Sequence, residues 1–335
     1  MRVAVIGAGA IGSLIGGLLA RAGEDVTLIG RQPHVDAVNQ NSLRIDGALG
    51  SMQVRVRAAE RLEFTPDVAL LTVKTQGVAA AAREIHPYVV GTPVVTMQNG
   101  VRSDELVADV LGKQGILSCV VLLGATFLEP GTVIYSPQGV LVLGVPFGPI
   151  DERTRTIAAV LDKAVPTHLS TNIAGAHWTK LIINENNALP AVTGLSIQEV
   201  NQQAALSRLS ILMMREAAGT IEAAGIKLTS LPKLPATGLR TLLRMPMPVA
   251  SRLLRLLSRS LGETPALGST LQSVRRGEKT EIDYLNGEVV ALGKRTGRPT
   301  PYNAAVVSLV HQVEATGKFL TAEEVAAATD PTVGP

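Results

Sequence analysis

The sequence predicts two domains: an α/β N-terminal domain built on a parallel, doubly wound sheet, and an all-α C-terminal domain. Three observations predict this. The chain opens on a β-branched run that switches abruptly into a glycine-rich turn and a helical stretch. Short β-rich runs then alternate with helical stretches as far as about residue 172, the pattern of a parallel sheet with crossover helices. Beyond Ala174 long helical periodicities take over, with no convincing strand up to Ala328. A length of 335 residues fits two domains, each large enough to enclose a core.

In order, Arg2–Ile6 reads as a buried strand, residues 7–12 (GAGAIG) as a turn opening a helix over Ser13–Ala22, Gly23 as its stop, and Asp25–Ile29 as a second strand. Further strands are expected at Val54–Arg57, Val68–Val73, Pro93–Met97 and Ile116–Leu123, with helices at Val78–Ile85 and Ser103–Val110. Two hairpin-like pieces, Val133–Ser136 and Val140–Leu143, precede a helix over Asp151–Ala164 and a last short strand at His168–Ser170. The expected domains are therefore residues 1–172 and 173–329. A tail of residues 330–335, with two prolines and a glycine, is expected to fray.

Composition excludes several classes. With 46% hydrophobic and 18% charged residues the chain is neither disordered nor fibrous. The single Cys119 rules out an intramolecular disulfide framework and a cysteine-rich zinc site, and fits a reducing compartment. The five histidines are scattered, with no pair at metal-ligand spacing, so no metal is expected. The apolar stretch Val3–Ala20 is about as long as a membrane span. A strand, turn and helix account for each of its glycines, however, and a span or a signal peptide accounts for none. Between Glu222 and Glu263 lie seven basic residues and no acidic one, which leaves 24 basic against 28 acidic elsewhere. This local block does not make the protein a nucleic-acid binder.

The N-terminal strand, turn and helix form the βαβ context that the G-x-G-x-x-G fingerprint requires, so the first domain is expected to be a Rossmann-type dinucleotide-binding domain. Gly7 permits the tight turn, Gly9 lets the backbone approach a pyrophosphate, and Gly12 lets helix and strand pack closely. The helix N-terminus, with Ala10 and Ile11 in its opening turn, offers unpaired N–H groups to phosphate. NAD sites place an acidic residue at the end of the second strand to hold the ribose 2′-OH. Here that place reads Leu28–Gln32 with Arg31, which would pair with a 2′-phosphate. NADPH/NADP+ is therefore the expected cofactor. Lys74, after the strand ending at Val73, could face its phosphate or ribose, the alternative being a surface lysine. Asn99-Gly100 ends another strand and is also an ordinary turn dipeptide.

In the second domain the helix from His177 to Asn187 sets Lys180, Asn184 and Asn187 within roughly 60° of one another at about 100° per residue. Asparagine is a poor helix former, so this polar stripe on an apolar helix reads as a reaction surface or as a solvated face. Ser269–Gln272 and Lys279–Gly287 follow. Thr280 and Asp283 fit a capping box, which leaves Glu281 unexplained.

Taken together, residues 7–12, Val73-Lys74-Thr75, Gln98–Val101, Lys180 with Asn184, Ser269 with Gln272, and Thr280–Gly287 (TEIDYLNG) make the chain resemble the ketopantoate reductase family over nearly its whole length. The resemblance implies NADPH-dependent reduction of 2-dehydropantoate (ketopantoate) to (R)-pantoate, a step towards coenzyme A, by a cytoplasmic enzyme. It implies Lys180 as catalytic lysine and Glu281 as its partner carboxylate. It further implies substrate contacts at Asn99, Asn184 and Ser269, to which helical geometry adds Asn187, and a cofactor side formed by Gly7, Gly9, Ala10, Ile11, Gly12, Arg31, Lys74, Asn99 and Glu281. The partner is a small 2-keto acid, with no nucleic acid and no membrane span. A homodimer is compatible with the sequence, which does not fix the oligomeric state.

Two departures bear on the substrate. Many family members carry a second Asn eight residues after the lysine, where this chain has Ala188 with Asn187 one place earlier. The basic segment 228–262 reads as an insertion, forming an extra amphipathic helix, a membrane-surface helix or a subunit contact. A different 2-keto acid, an opine- or polyol-type alcohol, or a non-catalytic NADP-sensing role are the alternatives.

Overall fold

A computed structural model describes residues 1–136, 138–259 and 265–330. The chain divides into two compact units between Ala176 and His177. In the first, β1 (Arg2–Ile6), β2 (Asp25–Ile29), β3 (Leu43–Gly47), β4 (Met52–Val54), β5 (Arg57–Ala59), β6 (Val68–Leu71), β7 (Val94–Thr96), β8 (Ile116–Leu122), β9 (Ala125–Glu129), β10 (Thr132–Tyr135), β11 (Val140–Gly144) and β12 (Thr167–Leu169) build two sheets. The larger has the order β12-β11-β8-β7-β6-β1-β2-β5 and the smaller β4-β3-β10-β9. From β8 to β5 the large sheet is parallel; β11 runs antiparallel to β8, and β12 parallel to β11. The helices are α1 (Ala10–Arg21), α2 (Gln32–Asn41), α3 (Val78–Ile85), α4 (Ser103–Leu111) and α5 (Glu152–Asp162).

The small sheet departs from expectation, and packing explains it. Leu43–Gly47 and Ala125–Glu129 were not expected as strands. The run expected as one strand at Val54–Arg57 is split, its first part pairing with β3 and its second with β2. The two hairpin-like pieces do not pair with each other: β10 lies between β3 and β9, and β11 between β8 and β12. Helix α1 touches strands of both sheets, and two glycines make that possible. A Cβ on Gly16 would lie 2.4 Å from Leu28 Cδ2 of the large sheet, and one on Gly17 would lie 2.6 Å from Leu43 Cδ2 of the small one. Val5, Leu14, Leu28, Leu43 and Val133 accordingly share one buried core.

Helix α6 (Ile173–Asn184) carries the chain into the second unit. There follow α7 (Ala188–Thr193), α8 (Ile197–Gln202), α9 (Ala204–Ala223), α10 (Ala236–Arg244), α11 (Met247–Arg259), α12 (Ser269–Arg275), α13 (Asn286–Thr296), α14 (Pro301–Thr316) and α15 (Ala322–Ala328). Helices α7, α9 and α14 close the core around Leu189, Leu209, Met213, Val306 and Val310. No helix of the described residues is long and apolar enough to cross a membrane.

The basic segment forms two helices rather than one, broken at Pro246. Helix α11 packs its small side inward: Ala250, Ser251 and Ser258 are buried, whereas Val249, Leu256 and Leu257 are exposed. The hydroxyl of Ser207 donates to the Ser251 carbonyl at 3.2 Å, and Gln202 donates to Ser258 Oγ at 3.3 Å. The expected segment end, residues 260–262, and the tail from residue 331 lie outside the described residues.

Candidate active site

In the first unit, the strand ends of β1, β2, β6 and β7 are tied into one rim. The N–H groups of Gly7 and Ala8 donate to the Ile29 carbonyl at 2.9 and 2.8 Å. The Thr72 hydroxyl donates to the carbonyls of Gly7 and Ile6 at 2.8 and 3.1 Å, and the Gln98 amide donates to those of Leu71 and Val73 at 2.7 and 3.0 Å. Thr75 Oγ1 donates to the Asn99 carbonyl at 3.1 Å. Lys74 and Asn99 thus sit on loops whose backbones are braced, at the carboxyl ends of strands, where ligands bind in open α/β sheets.

The glycine turn is sterically tight at two of its three glycines. Gly7 has φ +104, and a Cβ there would strike Val73 N at 2.7 Å. At Gly12 a Cβ would lie 2.3 Å from the Gly7 carbonyl oxygen and 2.5 Å from Thr72 Oγ1, so helix and turn touch directly. Gly9 differs: nothing lies within 4 Å of a Cβ built on it. The N-terminus of α1, at Ala10 and Ile11, has no side-chain cap and no acid in its first turn. Its orphan N–H groups and positive dipole end suit an anion.

A second uncapped N-terminus stands at the end of β2. Arg31 is the N-cap residue of α2 in an extended conformation, exposed, with no acid in the helix's first turn. Asp25, at the opposite end of β2, is paired with Arg57. Sequence reasoning passed over His34, which braces α2 from below. Its Nδ1 accepts from Gly131 N–H at 3.0 Å, so in the neutral ring Nε2 carries the proton and donates to Ser13 Oγ at 3.0 Å. Burial holds His34 below the usual histidine range. Its scattered place in the sequence carried no signal of this.

A cavity of about 350 Å³ lined by His86, Thr92, Gln114 and Arg153 sits at the amino ends of β7 and β8, the edge of the sheet away from these loops.

In the second unit, α6 carries Lys180 and Asn184 four residues apart and ends at Asn184. The helix does not run on to Asn187 as expected: Glu185–Asn187 is a 3-10 turn and α7 begins at Ala188. In a 3-10 turn residues i and i+3 eclipse, so Asn187 falls over Asn184. Its amide lies against the loop before α12, where a Cβ on Gly268 would be 2.8 Å from Asn187 Oδ1. Asn187 and Ser269, the first residue of α12, are thereby neighbours. Ala188 is fully buried in the core with Leu189 and Val192.

The segment carrying Glu281 is held at three points. The N–H of Thr280 donates to Glu314 Oε1 at 2.8 Å. Asp283 Oδ1 lies 3.0 Å from His311 Nε2, whose other nitrogen is 3.0 Å from Glu314 Oε2. Asn286 Nδ2 donates to Asn303 Oδ1 at 2.9 Å and to Glu185 Oε2 at 3.0 Å. The expected capping box does not form. A 3-10 turn over Ile282–Tyr284 replaces the α-helical first turn, so the Thr280 hydroxyl accepts from Ile282 N–H at 3.2 Å and Asp283 is free to meet His311. Glu314 and then Asp283 hold His311 above its usual range. Burial opposes ionisation of Glu314, but hydrogen bonds from Thr280 and His311 outweigh it and keep that carboxyl low.

Fold, glycine turn and uncapped helix ends define a nicotinamide-dinucleotide oxidoreductase with a helical second unit. The comparisons make this specific. The model of the family described as Ketopantoate reductase PanE/ApbA matches residues 3–146, and that of its C-terminal domain residues 172–314. The chain belongs to the ketopantoate reductase family, whose enzymes act on a CH–OH group and use NADPH. It is 30% identical to the 2-dehydropantoate 2-reductase of Pyrococcus abyssi, over 94% of this chain and 98% of that one. The enzyme of the same description from Archaeoglobus fulgidus is 26% identical over 93% and 98%. Among solved structures, a PanE/ApbA family ketopantoate reductase from Ralstonia eutropha is similar at TM-score 0.80 and 30% identity, covering 94% of this chain and 99% of that one. A D-mandelate dehydrogenase in complex with NADH and anilino(oxo)acetate shares the fold at TM-score 0.81 and 21% identity, over 94% and 99%.

Proposed function

We propose that the protein reduces 2-dehydropantoate to (R)-pantoate with NADPH in the cytoplasm, in the pathway to pantothenate and coenzyme A. The observation that carries the reading is the second unit's polar set, Lys180 and Asn184 on one helix with Asn187 set against the Ser269 loop and Glu281 on a segment braced at three points. The nicotinamide supplies a hydride to the keto carbon. The glycine turn at Gly7, Gly9 and Gly12, with the N–H groups at Ala10 and Ile11, would hold the pyrophosphate. Arg31 would pair with the 2′-phosphate, and Lys74 and Asn99 would line the same rim.

Reduction of the keto carbon leaves an alkoxide that must be protonated. The Lys180 ammonium hydrogen-bonds the keto oxygen, stabilises the developing charge and delivers the proton, then recovers one from solvent. Glu281 keeps the lysine charged or binds the substrate hydroxyl. Asn184, Asn187 and Ser269 orient the carboxylate and hydroxyl by hydrogen bonds, and Asn99 contributes from its loop. A neighbouring 2-keto acid is the second reading, and Ala188 favours it: buried in the core, it offers no polar group where the family pattern implies an asparagine.

The test is NADPH oxidation with ketopantoate and a panel of 2-keto acids. Activity on another keto acid with none on ketopantoate overturns the named substrate and leaves the mechanism standing. Lys180→Ala is expected to lower kcat about 10²- to 10⁴-fold while NADPH still binds. An unchanged kcat removes Lys180 from its role.

A further inference from the structure

Immediately after Asn184, the chain buries a carboxyl group that the reaction does not use. Glu185 has no exposed surface, nor do Asn286 and Asn303. The three join in one directed network whose orientation the acceptors dictate. Asn303 Nδ2 donates to Glu216 Oε2 at 2.9 Å and to the Met213 carbonyl at 3.2 Å, so its Oδ1 must be an acceptor. Asn286 therefore turns its NH2 group towards Asn303, and its second N–H reaches Glu185 Oε2. Glu216 anchors the far end, accepting the backbone N–H groups of Tyr302 and Asn303 at 2.9 Å each.

The network connects two places that matter. Glu185 opens the 3-10 turn that ends the Lys180–Asn184 helix, and Asn286 closes the segment that begins at Thr280 and carries Glu281. We propose that Glu185 is a positioning residue, which locks the end of the Lys180 helix to the Glu281 segment through Asn286 and so fixes the two groups in one geometry. The proposal rests on the reading of Lys180 and Glu281 as the reacting pair.

Two features support it. Glu185 Oε1 and Asn286 Oδ1 are buried and accept no hydrogen bond, which a charged carboxylate would tolerate badly. Burial, with the nearby Glu216 carboxyl adding repulsion, raises Glu185 well above the usual carboxylate range. Burial thus favours the neutral form of the group. An ordinary structural polar group would be expected to join a single element to its neighbour, whereas this one joins the two elements that bear the proposed chemistry.

The experiment compares Glu185→Gln, which keeps volume and acceptor, with Glu185→Met, which keeps volume alone. Glu185→Gln is expected to hold kcat within twofold. Glu185→Met is expected to lose kcat tenfold or more with the KM for NADPH within twofold. In Glu185→Met, amide hydrogen exchange should quicken together in residues 181–187 and 280–286. If Glu185→Met fails to fold, Glu185→Leu, which likewise has no acceptor, takes its place with the same expectation. Unchanged exchange at 280–286, kcat retained without the acceptor, or kcat lost in Glu185→Gln each overturns the proposal. Should the wild-type protein reduce no keto acid, the functional reading fails, and the exchange measurement still decides whether Glu185 couples the two segments.

Discussion

Arg31→Ala tests the cofactor assignment most directly. The guanidinium stands exposed at the N-cap of α2, beside a helix end with neither side-chain cap nor first-turn acid. Asp25 lies at the opposite end of β2, paired with Arg57. A charge-assisted hydrogen bond contributes about 1.5–3 kcal/mol, and exposure places this one towards the lower end, a loss of roughly tenfold to thirtyfold in affinity. Titration of NADPH and NADH by nucleotide fluorescence gives both constants. NADPH binding should weaken by that factor and NADH binding by less than twofold, with the difference shrinking as salt rises. Arg31→Glu, which restores the acid of NAD sites, should invert the preference. Equal losses for the two nucleotides, or none, would refute the assignment.

Gly12→Ala is expected to cost about 1–3 kcal/mol, because its methyl would lie 2.3 Å from the Gly7 carbonyl oxygen. Thermal unfolding should show a lowered Tm together with weaker NADPH binding; an unchanged Tm would mean the turn yields freely. For His34 the sign follows from its lowered value. Below about pH 6.5 the unfolded chain takes up a proton that the folded ring refuses. Stability should therefore fall as pH drops through that value, by at most about 1.4 kcal/mol per pH unit for this one group, and level off below the folded value. Urea unfolding of wild type against His34→Gln between pH 8 and 5 isolates this component. Identical slopes would show that His34 does not supply it.

Which parts of the fold were legible depends on whether the signal was local. The first strand, glycine turn, helix and second strand follow from β-branched residues meeting glycines at fixed spacing, and the structure forms Arg2–Ile6 and Asp25–Ile29 as expected. The helix begins at Ala10 rather than Ser13, since Gly9 already serves as N-cap. The small sheet was not legible because its strands are chosen by partners far along the chain. Met52–Val54 joins β3, while Arg57–Ala59, two residues later, joins β2. Nothing within residues 52–59 marks the switch. The glycines at 16 and 17 did carry the information, as a helix surface flat enough for a sheet on either side.

The same division runs through the site. Glu281 stood out because a capping box left it unexplained, although that box does not exist. Thr280 and Asp283 are instead taken up by Glu314 and His311 on α14, which fixes the backbone on both sides of Glu281. A polar residue exposed by motif can be read from sequence; Asn303, His311, Glu314 and Glu185, which hold its segment still, are separated from it by 22 to 96 positions and look like ordinary core or helix residues. Asn286, five positions after Glu281, is bonded to Glu185 across a separation of 101. The capping-box reading thus confined Thr280 and Asp283 to one local turn, whereas the structure ties these two residues to α14, a contact that no spacing within residues 280–287 could announce.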